Sequence, residues 1–170
     1  MSRFLDYSSI KSTTPIILAS GSESRKQMLE EAGIPFEVKV SPTDEDAVKN
    51  EISSLPFDRQ VIHLAKAKAS SVSSENPLAA VIGGDQMCVL DDVIFNKPAT
   101  KEKAVENLKL LSGKKHFQNS GVCIYLNNEC VWEYSEAVEM VMHSLTVKRL
   151  KIMLKLRIQF MQLARINLNL

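Results

Sequence analysis

Two short, almost wholly apolar runs leave this chain few ways to fold: Pro15-Ile16-Ile17-Leu18-Ala19 and Ala79-Ala80-Val81-Ile82, each passing directly into small residues. Apolar runs of this length without polar alternation belong to strands covered on both faces, and such strands occur in sheets whose connections are helices. The intervening sequence supplies the helices. After Ser20-Gly21-Ser22 a helical stretch runs to Ala32 and is closed by Gly33. A second apolar piece, Phe36 to Val40, leads into the acidic turn Ser41-Pro42-Thr43-Asp44-Glu45-Asp46. From Pro56 a helical pattern carries Val61, Leu64, Ala65 and Val72 on one side, with Lys66 and Lys68 near its middle.

The second apolar run is expected to end at Gly83-Gly84-Asp85, with Met87 to Leu90 continuing apolar until Asp91-Asp92 offers a turn. Thr100 is suited to cap a helix bearing Ala104, Leu108 and Leu111, which Gly113 ends. Phe117 to Leu126 and Val131 to Met142 read as a long hairpin around Asn127-Asn128. The expected fold class is therefore α/β, a mixed twisted sheet with flanking helices.

A chain of 170 residues, 45% hydrophobic and 24% charged, is long enough to bury one sizeable core and has the composition of an ordinary soluble protein. The net charge of +1 hides an asymmetry. The 23 residues from Lys148 to Leu170 hold six Lys or Arg and no acid, which leaves 15 basic against 20 acidic side chains in the rest. That body, near −5, argues against a broad nucleic-acid surface and leaves anion binding to a local cluster. Residues 1–147 are read as one domain and residues 148–170 as an atypical basic tail, helical or disordered. Met1 to Thr14 has no long apolar segment, and no stretch approaches the roughly 20 apolar residues that cross a bilayer. A cytoplasmic protein without a membrane partner is the simplest expectation. Cys88, Cys123 and Cys130 have neither zinc-site spacing nor disulfide density, so reduced structural thiols are expected. His63, His116 and His143 show no ligand spacing and are read as structural, and Trp132 as packing within the hairpin.

Three groups of residues could carry chemistry. Small residues and hydroxyls from Ser20 to Ser24, with Arg25, lie between a strand and a helix N-terminus, where unsatisfied backbone N–H groups and a guanidinium make a phosphate cradle. Serines before a helix also serve simply as caps. Asp44, Glu45 and Asp85 are acids expected in loops or at a strand end, where hard divalent cations and phosphate oxygens can meet them. A solvated acidic turn is the alternative for Asp44 to Asp46. Asp85 follows a run apolar enough for a central strand, and an unpartnered carboxylate there is costly. Lys68 and Lys97, the latter in Asn96-Lys97-Pro98, read on their own as ordinary surface lysines.

The order of these signals resembles the Maf-like nucleoside triphosphate pyrophosphatases. That family carries a Leu-Ala-Ser-x-Ser-Pro-x-Arg loop, matched by Leu18 to Arg25 with Glu23 in place of the proline and Ser24 where many members have a further arginine. An Asp-Glu pair is matched by Asp44-Glu45, a Leu-Ala-x-x-Lys-Ala helix segment by Leu64 to Ala69, and a Gly-x-Asp-Gln strand end by Gly83 to Gln86. Lys97-Pro98 and a Leu-Ser-Gly-x-x-His segment, Leu111 to His116, complete the order. The resemblance implies house-cleaning hydrolysis of a nucleoside triphosphate to its monophosphate and pyrophosphate with a divalent cation, Mg, Mn or Co. It implies that Ser20, Ser22, Arg25, Lys97 and Gln86 bind substrate, and that Asp85, Glu45 and Lys68 are catalytic. Glu45 and Asp85 would also hold the metal, and all of these residues would line one cleft. Gln86 with Met87-Cys88-Val89-Leu90-Asp91, and the single arginine of the first loop, look like the branch acting on 7-methyl-GTP. The dTTP and UTP branch is the alternative, and a homodimer is an implied assembly.

After Thr146 none of the family's later motifs is legible; the chain turns Leu-, Ile- and Lys-rich. With permitted synonymous codons, a frame beginning at the last base of the Lys148 codon spells Glu-Ile-Lys-Asn-Tyr and then Ala-Ala-Gly-Ala-Tyr, a family-like continuation. A shifted frame is the expected origin of the tail, a native basic amphipathic tail the alternative, and a truncated remnant that only binds nucleotides the competing function.

Overall fold

The structure, a computed structural model, describes residues 13–146 together with Lys148, Arg149 and Ile152. The basic tail otherwise lies outside the described residues; Lys148, Arg149 and Ile152 are helical and exposed.

The chain runs β1 (Ile16–Leu18), α1 (Glu23–Glu31), β2 (Glu37–Val38), α2 (Glu45–Glu51), α3 (Phe57–Ser73), β3 (Ala80–Leu90), β4 (Val93–Phe95), α4 (Lys101–Leu111), β5 (Lys115–Leu126) and β6 (Glu129–Val141). It is the expected α/β class, with a six-stranded sheet in which β2, β1, β3, β5 and β6 are neighbours in that order and β4 pairs with β3. The sheet is mixed. β1 is parallel to β2 and β3, whereas β4 is antiparallel to β3. Two compact units divide these elements: one reaches Gln86 and resumes over Asn119–Ala137, and the other comprises Met87–Gln118 and the chain from Val138.

Local sequence accounts for most element ends. Gly33 and Gly113 close α1 and α4 at φ 67° and 73°, and Thr100 caps α4 by accepting from the Lys103 N–H at 3.2 Å. Asn127 and Asn128, both with positive φ, make the two-residue turn between β5 and β6 that right-twisted strands favour. Three expectations are corrected. The acidic turn does not stay a loop: Asp44 Oδ1 accepts from the Asp46 and Ala47 N–H groups, both at 3.1 Å, and so starts α2 with Glu45 as its first residue. The second apolar run does not end at Gly83-Gly84-Asp85; β3 continues unbroken for 11 residues, so Asp85 lies in mid-strand. Trp132 is not packed inside the hairpin but is 48% exposed, stacked on Tyr134 with ring centroids 6.2 Å apart.

In the first unit α3 covers the sheet. Val61, Leu64, Ala65, Lys68, Ala69 and Val72 recur at helical spacing and are all buried, and Ala65, Ala69 and Val72 join Ile17, Ala19, Val81, Cys123 and Tyr125 in one cluster. The helix approaches the strands closely because the strands present glycine. A Cβ on Gly83 would stand 2.2 Å from the Ala65 carbonyl oxygen, and one on Gly121 would stand 2.7 Å from the Val61 carbonyl carbon.

Candidate active site

The chemistry-bearing residues gather where β1 stops. β1 pairs with β3 only as far as Leu18↔Ile82, extended by the Ala19 N–H bonding the Ile82 carbonyl at 2.8 Å. From Gly83 onward β3 continues without that neighbour until Cys88 meets Phe95 of β4. From β1 the chain moves out to β2 through α1 and returns past β1 to β3 through α2 and α3. A gap of this kind beyond a strand's carboxyl end is where open α/β sheets bind ligands.

One group is built by α3. Lys68 lies on the helix's buried face, 6% exposed, and its ammonium bonds Asp85 Oδ1 at 2.7 Å and pairs with Glu45 Oε1 at 3.0 Å. The expectation of a surface lysine is thereby overturned. Its position among Leu64, Ala65 and Ala69 buries the stem, and a buried ammonium needs carboxylate partners. Asp85 is nearly as enclosed, its side chain 10% exposed against 45% for Glu45.

The loop that precedes Glu45 carries a set of bonded hydroxyls. Ser41 and Thr43 share a hydrogen bond of 2.7 Å, Ser41 and Ser71 one of 2.8 Å, and Thr43 Oγ1 donates to the Ala67 carbonyl at 3.2 Å. The Ser71 hydroxyl in turn donates to the Lys68 carbonyl at 2.9 Å. The loop before α2 is thus fastened to the turn of α3 that bears Lys68. Sequence reading missed Ser41, Thr43 and Ser71; isolated hydroxyls on a helix and in a turn carry no pattern that marks them.

A second group is built by the β1–α1 loop. The buried Ser20 hydroxyl accepts from Arg25 Nη1 at 3.0 Å and from the Ser22 N–H at 3.2 Å. Ser22 occupies the cap position of α1 without making a cap bond, and its hydroxyl instead meets that of Ser24 at 3.0 Å. The plain capping role is therefore not the one Ser22 fills, and the first turn of α1 has no side-chain cap.

These groups do not share one face of the sheet. The Arg25 Nε lies 3.1 Å from where a Cβ of Gly84 would be, whereas the next residue, Asp85, points to Lys68 on the α3 side. Successive strand residues alternate, so the two groups lie on opposite sides of β3. Gln86, on the Gly84 side, is exposed and donates to the Ser120 hydroxyl at 3.1 Å. Lys97 is exposed, between β4 and α4, and belongs to the second unit.

A family model described as Maf-like protein matches residues 15–160. The chain belongs to the Maf-like family. The match reaches into the segment after Thr146. A nucleoside triphosphate pyrophosphatase of Legionella pneumophila is 36% identical over 151 residues, which cover 89% of this chain and 72% of the relative. A 7-methyl-GTP pyrophosphatase of Rhizobium johnstonii is 38% identical over 138 residues, 80% of this chain and 69% of the relative. Among solved structures, a HAM1 protein from Coxiella burnetii is 16% identical with a TM-score of 0.48, covering 74% of this chain and 70% of that one.

Among the described residues no three His, Cys, Asp or Glu side chains converge as a metal site. The donors present are two carboxylates, Glu45 and Asp85, held on one ammonium. Two carboxylates suit a hard cation such as Mg, which takes its remaining ligands from water and substrate phosphates. The cysteines are free, as expected, and burial pushes the Cys123 thiol up to about 12. No helix of the described residues is long and apolar enough to cross a membrane.

Proposed function

We propose that the chain hydrolyses a nucleoside triphosphate to the monophosphate and pyrophosphate, with 7-methyl-GTP as substrate and a divalent cation as cofactor. The observation that carries the reading is the buried Lys68 held between Glu45 and Asp85, in a member of a family whose similar relatives are nucleoside triphosphate pyrophosphatases. Phosphoryl transfer demands little covalent work from a protein; positioning and charge neutralisation suffice.

Ser20, Ser22, Arg25 and the uncapped first turn of α1 hold phosphate oxygens on one side of β3. Lys68 takes them on the other. Glu45 and Asp85 would hold the cation, which would supply neutralisation of phosphate charge. Water attacks the α-phosphorus, the bond to the bridging oxygen of the β-phosphate breaks, and pyrophosphate leaves. Glu45, 45% exposed against 10% for Asp85, is the carboxylate with access to water and accepts the attacking water's proton. Gln86, whose residue type resembles the 7-methyl-GTP branch, binds substrate from the Gly84 side of β3.

The test is release of pyrophosphate and monophosphate from 7-methyl-GTP, GTP, dTTP and UTP with Mg, Mn or Co, for the natural chain and for Asp85→Asn. We expect 7-methyl-GTP to be preferred and Asp85→Asn to lose about 100-fold or more in kcat while staying folded. Release of orthophosphate in place of pyrophosphate, or an undiminished Asp85→Asn, refutes the reading.

A further inference from the structure

Resting on that reading, we propose that Lys68 stands in for the divalent cation in the free protein, so that the carboxylate pair accepts a metal only when a bound triphosphate draws the ammonium away. The ammonium nitrogen lies 2.7 Å from Asp85 Oδ1 and 3.0 Å from Glu45 Oε1. A divalent cation bridging the same two oxygens at its usual distances, about 2.0–2.6 Å, would need the space the ammonium fills. Size and charge both exclude joint occupancy, because the incoming cation would meet a like charge at contact distance in a region where little water screens it. The side chains of Lys68 and Asp85 are only 8% and 10% exposed.

The arrangement is held in place rather than adventitious. The Ser41–Thr43–Ser71 hydroxyls fasten the loop before Glu45 to α3, Asp85 is fixed in mid-strand, and Gly83 lets α3 approach so that Lys68 reaches both. The lysine stem is buried, so the mobile part is the terminal ammonium. Lys49 Nζ also stands 4.0 Å from Glu45 Oε2, at the more exposed edge of the cluster, so the ammonium that separates Glu45 from Asp85 is that of Lys68. A triphosphate supplies that ammonium with another partner, since its oxygens accept from the ammonium as well as carboxylates do. Metal and nucleotide therefore enter together, and the protein without nucleotide holds metal poorly.

The experiment measures Mn binding to the nucleotide-free full chain by electron paramagnetic resonance and calorimetry, for the natural protein, Lys68→Met and Lys68→Arg. Lys68→Met removes the charge at similar length and should bind Mn at least about tenfold more tightly, whereas Lys68→Arg keeps the charge and should stay weak. Adding Asp85→Asn to Lys68→Met should abolish the gain. Equal Mn affinity in the natural protein and Lys68→Met overturns the proposal, as does tight binding by Lys68→Arg. If Lys68→Met does not fold alone, the proposal requires Mn to restore its folding, and failure of Mn to do so overturns it. Pyrophosphate release is scored separately. A Lys68→Met gain in Mn affinity with no turnover by the natural chain sinks the function and upholds the stand-in, and turnover without the gain does the reverse.

Discussion

Adjacent glycines on β3 should respond to the same substitution in opposite ways. In Gly83→Ala the new methyl would stand 2.2 Å from the Ala65 carbonyl oxygen and 2.8 Å from the Ala69 Cβ, whereas real Cβ atoms essentially never come closer than 3.0 Å. The obstacle is helix backbone, so α3 must retreat by about 0.8 Å or β3 must bend. Overpacking of this kind costs about 1–3 kcal/mol, and the helix dipole and core contacts move as a body, so about 3 kcal/mol is expected. For a chain of this length that lowers the melting temperature by about 6–12 °C. Gly84→Ala instead meets Arg25 Nε at 3.1 Å and Cδ at 3.4 Å, the end of a side chain, with the nearest backbone atom, Gly121 O, at 3.6 Å. Alanine also restricts the unfolded chain, worth about 0.4–1 kcal/mol in favour of the fold, so stability should change by less than about 1 kcal/mol. The cost falls on Arg25, whose Nε must shift by a few tenths of an ångström and so disturb the 3.0 Å bond of its Nη1 to Ser20. A guanidinium displaced from the place where it would meet a phosphate should raise KM for the nucleotide about tenfold with little effect on melting. Thermal unfolding by circular dichroism and steady-state kinetics on the two variants measure both quantities. If Gly83→Ala melts within about 2 °C of the natural protein, or if Gly84→Ala is the less stable of the two, the account of α3 and Arg25 on opposite sides of β3 is wrong.

Thr43→Val deletes the hydroxyl that ties the Glu45 loop to Ala67 and Ser41 at nearly constant volume; kcat should fall about tenfold with KM nearly unchanged, and Thr43→Ser should restore it. Equal losses in Thr43→Val and Thr43→Ser would remove the positioning role. The Cys123 thiol, whose ordinary value is 9.0 and which burial raises to about 12, keeps its proton in the folded chain after the unfolded chain has lost it. Stability contributed by this group is therefore complete below pH 9 and lost as pH rises from 9 to about 12. Cys123→Ala should be less stable at pH 8 yet fall less steeply across that interval in urea titrations; parallel curves would refute the assignment.

Much of this protein was legible without coordinates, because local physical chemistry acts on neighbours in sequence. The apolar runs gave β1 and the start of β3, the glycines and Thr100 gave helix ends, and paired asparagines gave the hairpin turn. The ordered motifs gave the family, since Leu18 to Arg25, Asp44-Glu45, Leu64 to Ala69 and Gly83 to Gln86 are strings of residues and need no fold to be recognised. Tertiary structure decided what strings cannot encode. Lys68 reads as a surface lysine until α3 is laid on Gly83 and Gly121, which turns its face inward and brings it to Asp85, 17 residues away. The hydroxyls of Ser41, Thr43 and Ser71 acquire a joint role only when a loop and a helix about 30 residues apart are in contact. Arg25 and Asp85 fall on opposite sides of β3 because strand residues alternate and β1 stops at Leu18, and neither the alternation's phase nor the early stop is written in a motif. Sequence names the reacting groups because side-chain chemistry is a property of the residue, while the distances between those groups are set by packing, which sums contacts from the whole chain.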